Sequence, residues 1–138
     1  MRQYFMPCSA KCTAVAVFAC AIILSLSVPT GPVWAGDAAK GEKVFKKCMA
    51  CHSVAGKTNK VGPYLQGVVN RPVATAEGYA FSDGMKEFAA GGKVWDDAAL
   101  DTYLTNPKAS VPKTKMAFPG LKKPEDRADL IAYLLANP

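Results

Sequence analysis

An all-α fold is predicted for residues 36–138, with short helices joined by long loops that wrap around a component the polypeptide does not itself supply. Three observations predict it. Alternating apolar and polar residues, the mark of a half-buried strand, are absent. Four segments instead pair a helix-starting residue with apolar side chains at helical spacing. Two loops of about 15 to 20 residues separate these segments, and loops of that length in a compact domain normally have something to pack on. No internal repeat is visible.

The domain is expected to begin at Gly36 because residues 1–35 read as a secretory signal peptide. Arg2 and Lys11 accompany an apolar run from Thr13 to Val28, and a Pro/Gly-interrupted tail ends in Val33-Trp34-Ala35, with small or β-branched residues where a signal peptidase cuts. Cleavage is placed after Ala35. Retention as an anchor is the competing reading, although the 16-residue run is shorter than the ~20 residues that span a bilayer. Lipid attachment at Cys20 fits less well, since the apolar run continues past it. Cleavage removes Cys8, Cys12 and Cys20, so that only Cys48 and Cys51 remain of five cysteines and no disulfide framework can form. It also removes two cations and no acids, leaving 15 basic and 11 acidic residues among 103 and a net charge of +4. Only two of the 15 are arginines, the residue that tight phosphate recognition recruits, so no nucleic-acid partner is expected. A lysine-rich, mildly basic surface suits transient acidic partners.

Asp37 reads as the N-cap of a first helix, and Val44, Phe45, Cys48, Cys51 and His52 follow at helical spacing, so this helix is expected to close on "CMACH" at residues 48–52. Ser53 to Pro72 is rich in Gly, Lys and Asn and contains Gly62-Pro63, which predicts loop. Ser82 caps a short helix over Asp83 to Ala89, ended by Gly91-Gly92. Asp96 caps a third helix that carries Leu100, Tyr103 and Leu104 on one face, and Asn106-Pro107 stops it. Residues 108–123 form a second, lysine-rich loop. The closing helix has Pro124 in its first turn, Glu125 and Asp126 near the positive end of its dipole, and an apolar set of Leu130, Ile131, Tyr133 and Leu134.

Both surviving cysteines and the chain's single histidine fall within the five residues 48–52. The spacing i, i+3, i+4 brings Cys48, Cys51 and His52 to the same side of a helical turn. A structural zinc site needs a fourth ligand and usually a second Cys or His pair, and processing leaves neither. A dithiol of the thioredoxin type sits at the start of a helix in a βαβ unit, whereas this pair closes a helix in a strandless chain. Covalent haem attachment needs only what is present: two thiols that add across the haem vinyl groups, and an adjacent histidine as the fifth iron ligand. A thioether on the opposite face would favour ferrous iron and raise the potential. Met1 and Met6 leave with the signal and Met49 is held in the attachment turn, so Met85 and Met116 both stand as candidates. Met116 lies in "KTKMAFPG", just before the last helix.

The order of CMACH, GPYL, the Trp of KVWDD, YLTNPK and TKMAFPGLKKPEDRADLIAYL resembles the mitochondrial-type and bacterial soluble class I cytochromes c over essentially all of residues 37–136. The resemblance implies a small fold in which the first and last helices cross and long loops wrap one covalently bound haem c. It implies thioether bonds at Cys48 and Cys51, axial ligation by His52 and Met116, and a Pro63 carbonyl that orients the His52 ring. Arg71, Tyr79 and Trp95 are implied at the haem propionates, with Tyr103 and Thr114 on the methionine side. Gly41 and Phe45 are implied to pack on Leu130 and Tyr133 at the helix crossing. The chain departs from that family's usual pattern at Phe81, where a tyrosine is common, at Met85 for an asparagine and at Lys113 for a glycine.

A haem closed on both faces by protein side chains has no position for oxygen or peroxide, so the leading expectation is one-electron carriage in the periplasm and not catalysis. A haem enzyme with an open sixth position, such as a peroxidase, and a subunit fixed to one partner complex are the other readings. Lys46, Lys47, Lys108, Lys113, Lys115, Lys122 and Lys123 flank the attachment helix and the methionine loop. The partners expected from that arrangement are acidic faces of redox proteins such as a cytochrome bc complex, a terminal oxidase or a periplasmic dehydrogenase or reductase. A monomer without membrane insertion after cleavage is expected.

Overall fold

The computed structural model describes residues 35–138; of the segment read as a signal peptide, only Ala35 falls within the described residues. Helix starts follow from side chains that satisfy amides lacking a partner inside the helix. Asp37 Oδ1 accepts from the Ala39 and Lys40 amides at 2.9 and 3.2 Å and opens α1, Ala38–Phe45. Those bonds, the one from Lys40 foremost, hold its carboxyl below the usual carboxylate range. The Ser82 hydroxyl accepts from the Met85 amide at 3.3 Å ahead of α2, Asp83–Ala89. Asp96 does the same for Ala99 at 2.7 Å ahead of α3, Asp97–Thr105.

Two expectations need correction. Asn106-Pro107 ends α3 but also starts a further turn of helix, α4, Pro107–Ser110. Asn106 Oδ1 accepts from the Ala109 amide at 3.2 Å, and Pro107 occupies a position where its missing N–H costs nothing. The first helix, in turn, ends at Phe45, short of the CMACH residues. The chain continues in tight turns there, with the Cys48 amide donating to the Phe45 carbonyl at 2.7 Å. The last helix, α5, Pro124–Leu135, has no side-chain cap and relies on Pro124 and on Glu125 and Asp126 in its first turn.

Among the described residues no strand forms; one isolated antiparallel bridge joins Pro72 to Val94. The Val73 amide donates to Lys93 and the Trp95 amide to Arg71, both at 2.9 Å. These bonds close α2 into an excursion and bring Trp95 beside Arg71.

The helices α1 and α5 cross where α1 has no room for a side chain at position 41. A Cβ on buried Gly41 would run into the Asp129 carbonyl and lie 2.7 Å from Tyr133 Cβ. The Phe45 and Tyr133 rings meet beside it with centroids 5.4 Å apart, over Leu130, which is 1% exposed. Gly41→Ala gains ~1 kcal/mol of helix propensity yet collides with backbone that cannot rotate away. A net loss of about 3 kcal/mol is expected, at the upper end of overpacking costs. Urea denaturation of the holoprotein measures it, and a midpoint equal to wild type would contradict the close crossing.

The loop after α4 is fastened at both ends to the α3–α4 corner. Val111, fully buried, donates its amide to the Pro107 carbonyl at 2.9 Å, and the Leu121 amide donates to the Leu104 carbonyl at 2.8 Å. Lys113 has a φ of +63°, a left-handed conformation that costs an L side chain ~1–2 kcal/mol. Glycine, common at this position in the family the sequence resembles, would not incur that cost.

Candidate functional site

The loops and helices enclose a cavity of about 460 Å³. Its floor is apolar, formed by Phe45, Leu65, Val68, Leu100, Leu130 and Leu134. The candidate attachment residues, both remaining candidate methionines and the three expected rim residues also line it.

On one wall the Cys51 and His52 amides both donate to the Cys48 carbonyl, at 3.0 and 2.9 Å. This turn sets the two thiols one helical turn apart with the imidazole beside them. Both thiols are free. Burial pushes the Cys48 thiol up, so it is kept protonated, with Lys47 opposing and Cys51 adding to the shift. His52 Nδ1 lies 2.7 Å from the Pro63 carbonyl. A carbonyl only accepts, so Nδ1 carries the proton and donates it, and the Nε2 lone pair is left for a Lewis acid. Burial is the main cause that pulls the His52 pKa down and favours the neutral ring; the Pro63 bond opposes it and Lys60 adds to it. Gly62 is pressed flat on the same ring. A Cβ there would strike His52 Cε1 and lie 2.8 and 2.9 Å from its two nitrogens.

The facing wall belongs to α3 and the 111–123 loop. The Tyr103 hydroxyl donates to Met116 Sδ at 3.4 Å, and the Met116 amide donates to Thr114 Oγ1 at 3.2 Å. Burial pushes the Tyr103 phenol up, so it stays a donor, with a hydrogen bond from Thr114 opposing. A thioether has two lone pairs, so a sulfur that accepts one hydrogen bond keeps a pair for a soft metal. Met85 reaches the same cavity from α2 and is buried in the apolar cluster.

At the rim, Arg71 spends its terminal nitrogens on the carbonyls of Gln66 at 3.1 Å and Tyr64 at 3.0 Å. Its guanidinium lies 4.8 Å from the centre of the Tyr64 ring. Its Nε is buried without a hydrogen-bond partner, a donor that a ligand carboxylate would satisfy. Burial draws the Arg71 pKa down, while Tyr64 opposes. Tyr79 donates its hydroxyl to the Val61 carbonyl at 2.9 Å, and its ring meets Phe81 edge-on at 4.9 Å. Trp95 is buried and packs on Tyr103, centroids 4.9 Å apart.

Sequence reasoning missed Asn59. Its Nδ2 donates to the Glu77 carbonyl at 2.8 Å and its Oδ1 accepts from the Tyr64 amide at 3.1 Å, so one carboxamide ties two loops. It also missed Gly62 as the ring's backing plate; the Gly62-Pro63 pair read only as loop. No local pattern marks Asn59, because its partners are set by the meeting of loops.

The donor set fits a covalently attached haem. A flat apolar macrocycle suits the cavity floor, two thiols stand at one wall, a nitrogen and a sulfur lone pair are held on facing walls, and an unmatched N–H waits at the rim. Comparisons with known proteins agree. Residues 38–137 match the family described as cytochrome c. Cytochrome c2 of Rhodomicrobium vannielii is 48% identical over 126 residues, 90% of this chain and 94% of that protein. Cytochrome c of Guizotia abyssinica is 51% identical over 105 residues, 75% of this chain and 92% of that one. The structure of cytochrome cH from Methylobacterium extorquens superposes with a TM-score of 0.68 at 49% identity, covering 73% of this chain and 99% of that one. The chain belongs to the class I cytochromes c, electron-transfer proteins, not enzymes, that carry one covalently bound haem c and its iron per chain.

Proposed function

We propose that this chain is exported, cut after Ala35, and works in the periplasm as a one-electron carrier in which His52 and Met116 ligate the haem iron from opposite faces. The haem, when bound, supplies an iron that gains and loses one electron. The observation that carries the reading is the pair of prepared lone pairs on one cavity: His52 Nε2, freed by the Nδ1 bond to Pro63, and Met116 Sδ, aimed by Tyr103. Cys48 and Cys51 hold the macrocycle as thioethers. Arg71, Tyr79 and Trp95 would hold its carboxylates, and Arg71 Nε is the buried donor without a partner that a carboxylate would satisfy. With His52 and Met116 both on the iron, oxygen and carbon monoxide would have no position to take. The ferrous protein should therefore give a low-spin spectrum unchanged by carbon monoxide at neutral pH. A carbon monoxide adduct of wild type would refute the Met116 assignment. Recovery of a mature chain starting at Gly36 from the periplasmic fraction tests export and the cut.

The expected partners are acidic faces of redox complexes such as a cytochrome bc complex, a terminal oxidase or a periplasmic dehydrogenase. All seven lysines named above are exposed, and Lys47 and Lys115 stand at the cavity itself. Such charges steer encounter within a Debye length of ~8 Å at physiological salt. Bimolecular electron-transfer rates to an acidic partner should fall steeply with ionic strength. Lys113→Glu or Lys115→Glu should slow them ~3-fold or more, and Lys93→Glu, over the Phe88 ring beyond α2, should slow them less. Equal effects at all three positions would leave the lysines as solubilising charge.

A further inference from the structure

We propose that Arg127 is a positioning residue for Met116, holding the methionine loop closed from behind; the inference rests on Met116 being the iron ligand. Arg127 sits on α5 with its side chain only 11% exposed. Its Nε donates to Asp101 Oδ1 at 2.6 Å and its Nη2 to Oδ2 at 3.5 Å. Its Nη1 donates to the Leu121 and Lys122 carbonyls at 3.0 and 3.3 Å. One planar fork therefore joins α5, α3 and the last residues of the loop that carries Met116.

The place of these bonds matters more than their number. Residues two apart on a helix face roughly opposite ways, so α3 turns Asp101 toward Arg127 and Tyr103 toward Met116 Sδ. The same end of α3 receives the Leu121 amide and, at 3.2 Å, Lys122 Nζ. Gly120 lies against the Leu104 and Thr105 carbonyls, too close for any Cβ. Between the anchors at Val111 and Leu121, the bonds that hold Met116 itself are its amide to Thr114 Oγ1 and its sulfur to Tyr103. The chain spans up to ~3.5 Å per residue, so release at Leu121 frees a methionine five positions away by far more than a coordination bond tolerates. Arg127 sets the far anchor, and lysine cannot replace it, because a point charge cannot serve a carboxylate and two carbonyls as a fork does.

The test uses ferric holoprotein mixed with imidazole, which takes the sixth position only when the loop opens. The optical band that reports sulfur bound to ferric iron decays as it does so, and at saturating imidazole its rate plateaus at the rate of loop opening. Arg127→Gln should raise the plateau about tenfold, the kinetic equivalent of losing one charge-assisted contact set. Asp101→Asn should raise it in the same direction by less, and it carries the test if Arg127→Gln does not fold. Ala132→Gly lowers the melting temperature from the same helix without touching the fork, and should leave the plateau unchanged. A purely structural role for Arg127 would lower melting temperatures alone. Plateaus for Arg127→Gln and Asp101→Asn equal to wild type would overturn this inference by itself. A wild-type protein without the band would overturn the ligand assignment, and the inference with it.

Discussion

With Met116 as the proposed iron ligand, Met116→Ala should lower the reduction potential by about 0.2 V, a quarter of the ~0.8 V that axial ligands span, and should let the ferrous protein bind carbon monoxide. The haem should stay attached, because the proposed thioether bonds are at Cys48 and Cys51 and alanine at 116 leaves both in place. The loss follows from the thioether's preference for ferrous iron; water or nothing in its place removes that preference. The freed position also admits peroxide, so peroxidase turnover rises as carrier function falls. Met85→Ala is the informative control. Met85 is buried on the same cavity, so its truncation should cost ~2–5 kcal/mol of stability with the potential nearly unchanged. Protein-film voltammetry on both variants decides, and the reverse pattern would give the ligand role to Met85.

The second large effect is on the polypeptide without its haem. A cavity of about 460 Å³, at ~24 cal/mol per Å³ left empty, costs on the order of 11 kcal/mol. Part of it opens to solvent, so this figure is a ceiling. It still matches the whole stability of a typical domain, ~5–15 kcal/mol. The chain made with Cys48→Ser and Cys51→Ser, which cannot attach haem covalently, should therefore lose most of its helical circular dichroism and melt without a cooperative transition. A sharp melt near the temperature of the holoprotein would show that α1, α5 and their crossing are sufficient by themselves.

Helix starts were legible in the sequence because each is written locally. Asp37, Ser82 and Asp96 cap amides two or three residues away, and nothing distant can change that. α4 was missed because Asn106-Pro107 is both a stop for one helix and a start for another, and a reading of local propensity takes the first meaning. The end of α1 at Phe45 was misplaced because cysteine and histidine spacing continues the helical period after the regular hydrogen bonds have given way to turns. The candidate attachment residues stand out in the sequence for a different reason: one histidine and two cysteines in five positions leave few chemistries. What stayed hidden depends on segments that meet only in space. Arg127 reaches Asp101 across 26 positions, Asn59 reaches Glu77 across 18, and Gly62 is needed only because the His52 ring lies on it. Tyr79, expected at the propionates, also gives its proton to Val61, a competition between a backbone carbonyl and a ligand that sequence order does not record.

The bridge at Asn59 bears on how the protein meets acid. A carboxamide neither gains nor loses a proton across the range in which carboxyl groups and imidazoles titrate, and Glu77 takes part through its backbone carbonyl alone. The loops beside His52 are thus held by a tie that acidity does not touch, useful to a carrier working, as proposed, in a compartment that shares the pH of its surroundings. Asp37 behaves otherwise. Its folded pKa is depressed, so the stability it lends is complete above its unfolded value and is lost as pH falls through the folded one. Acid therefore weakens the exposed start of α1, while the Asn59 tie itself does not titrate.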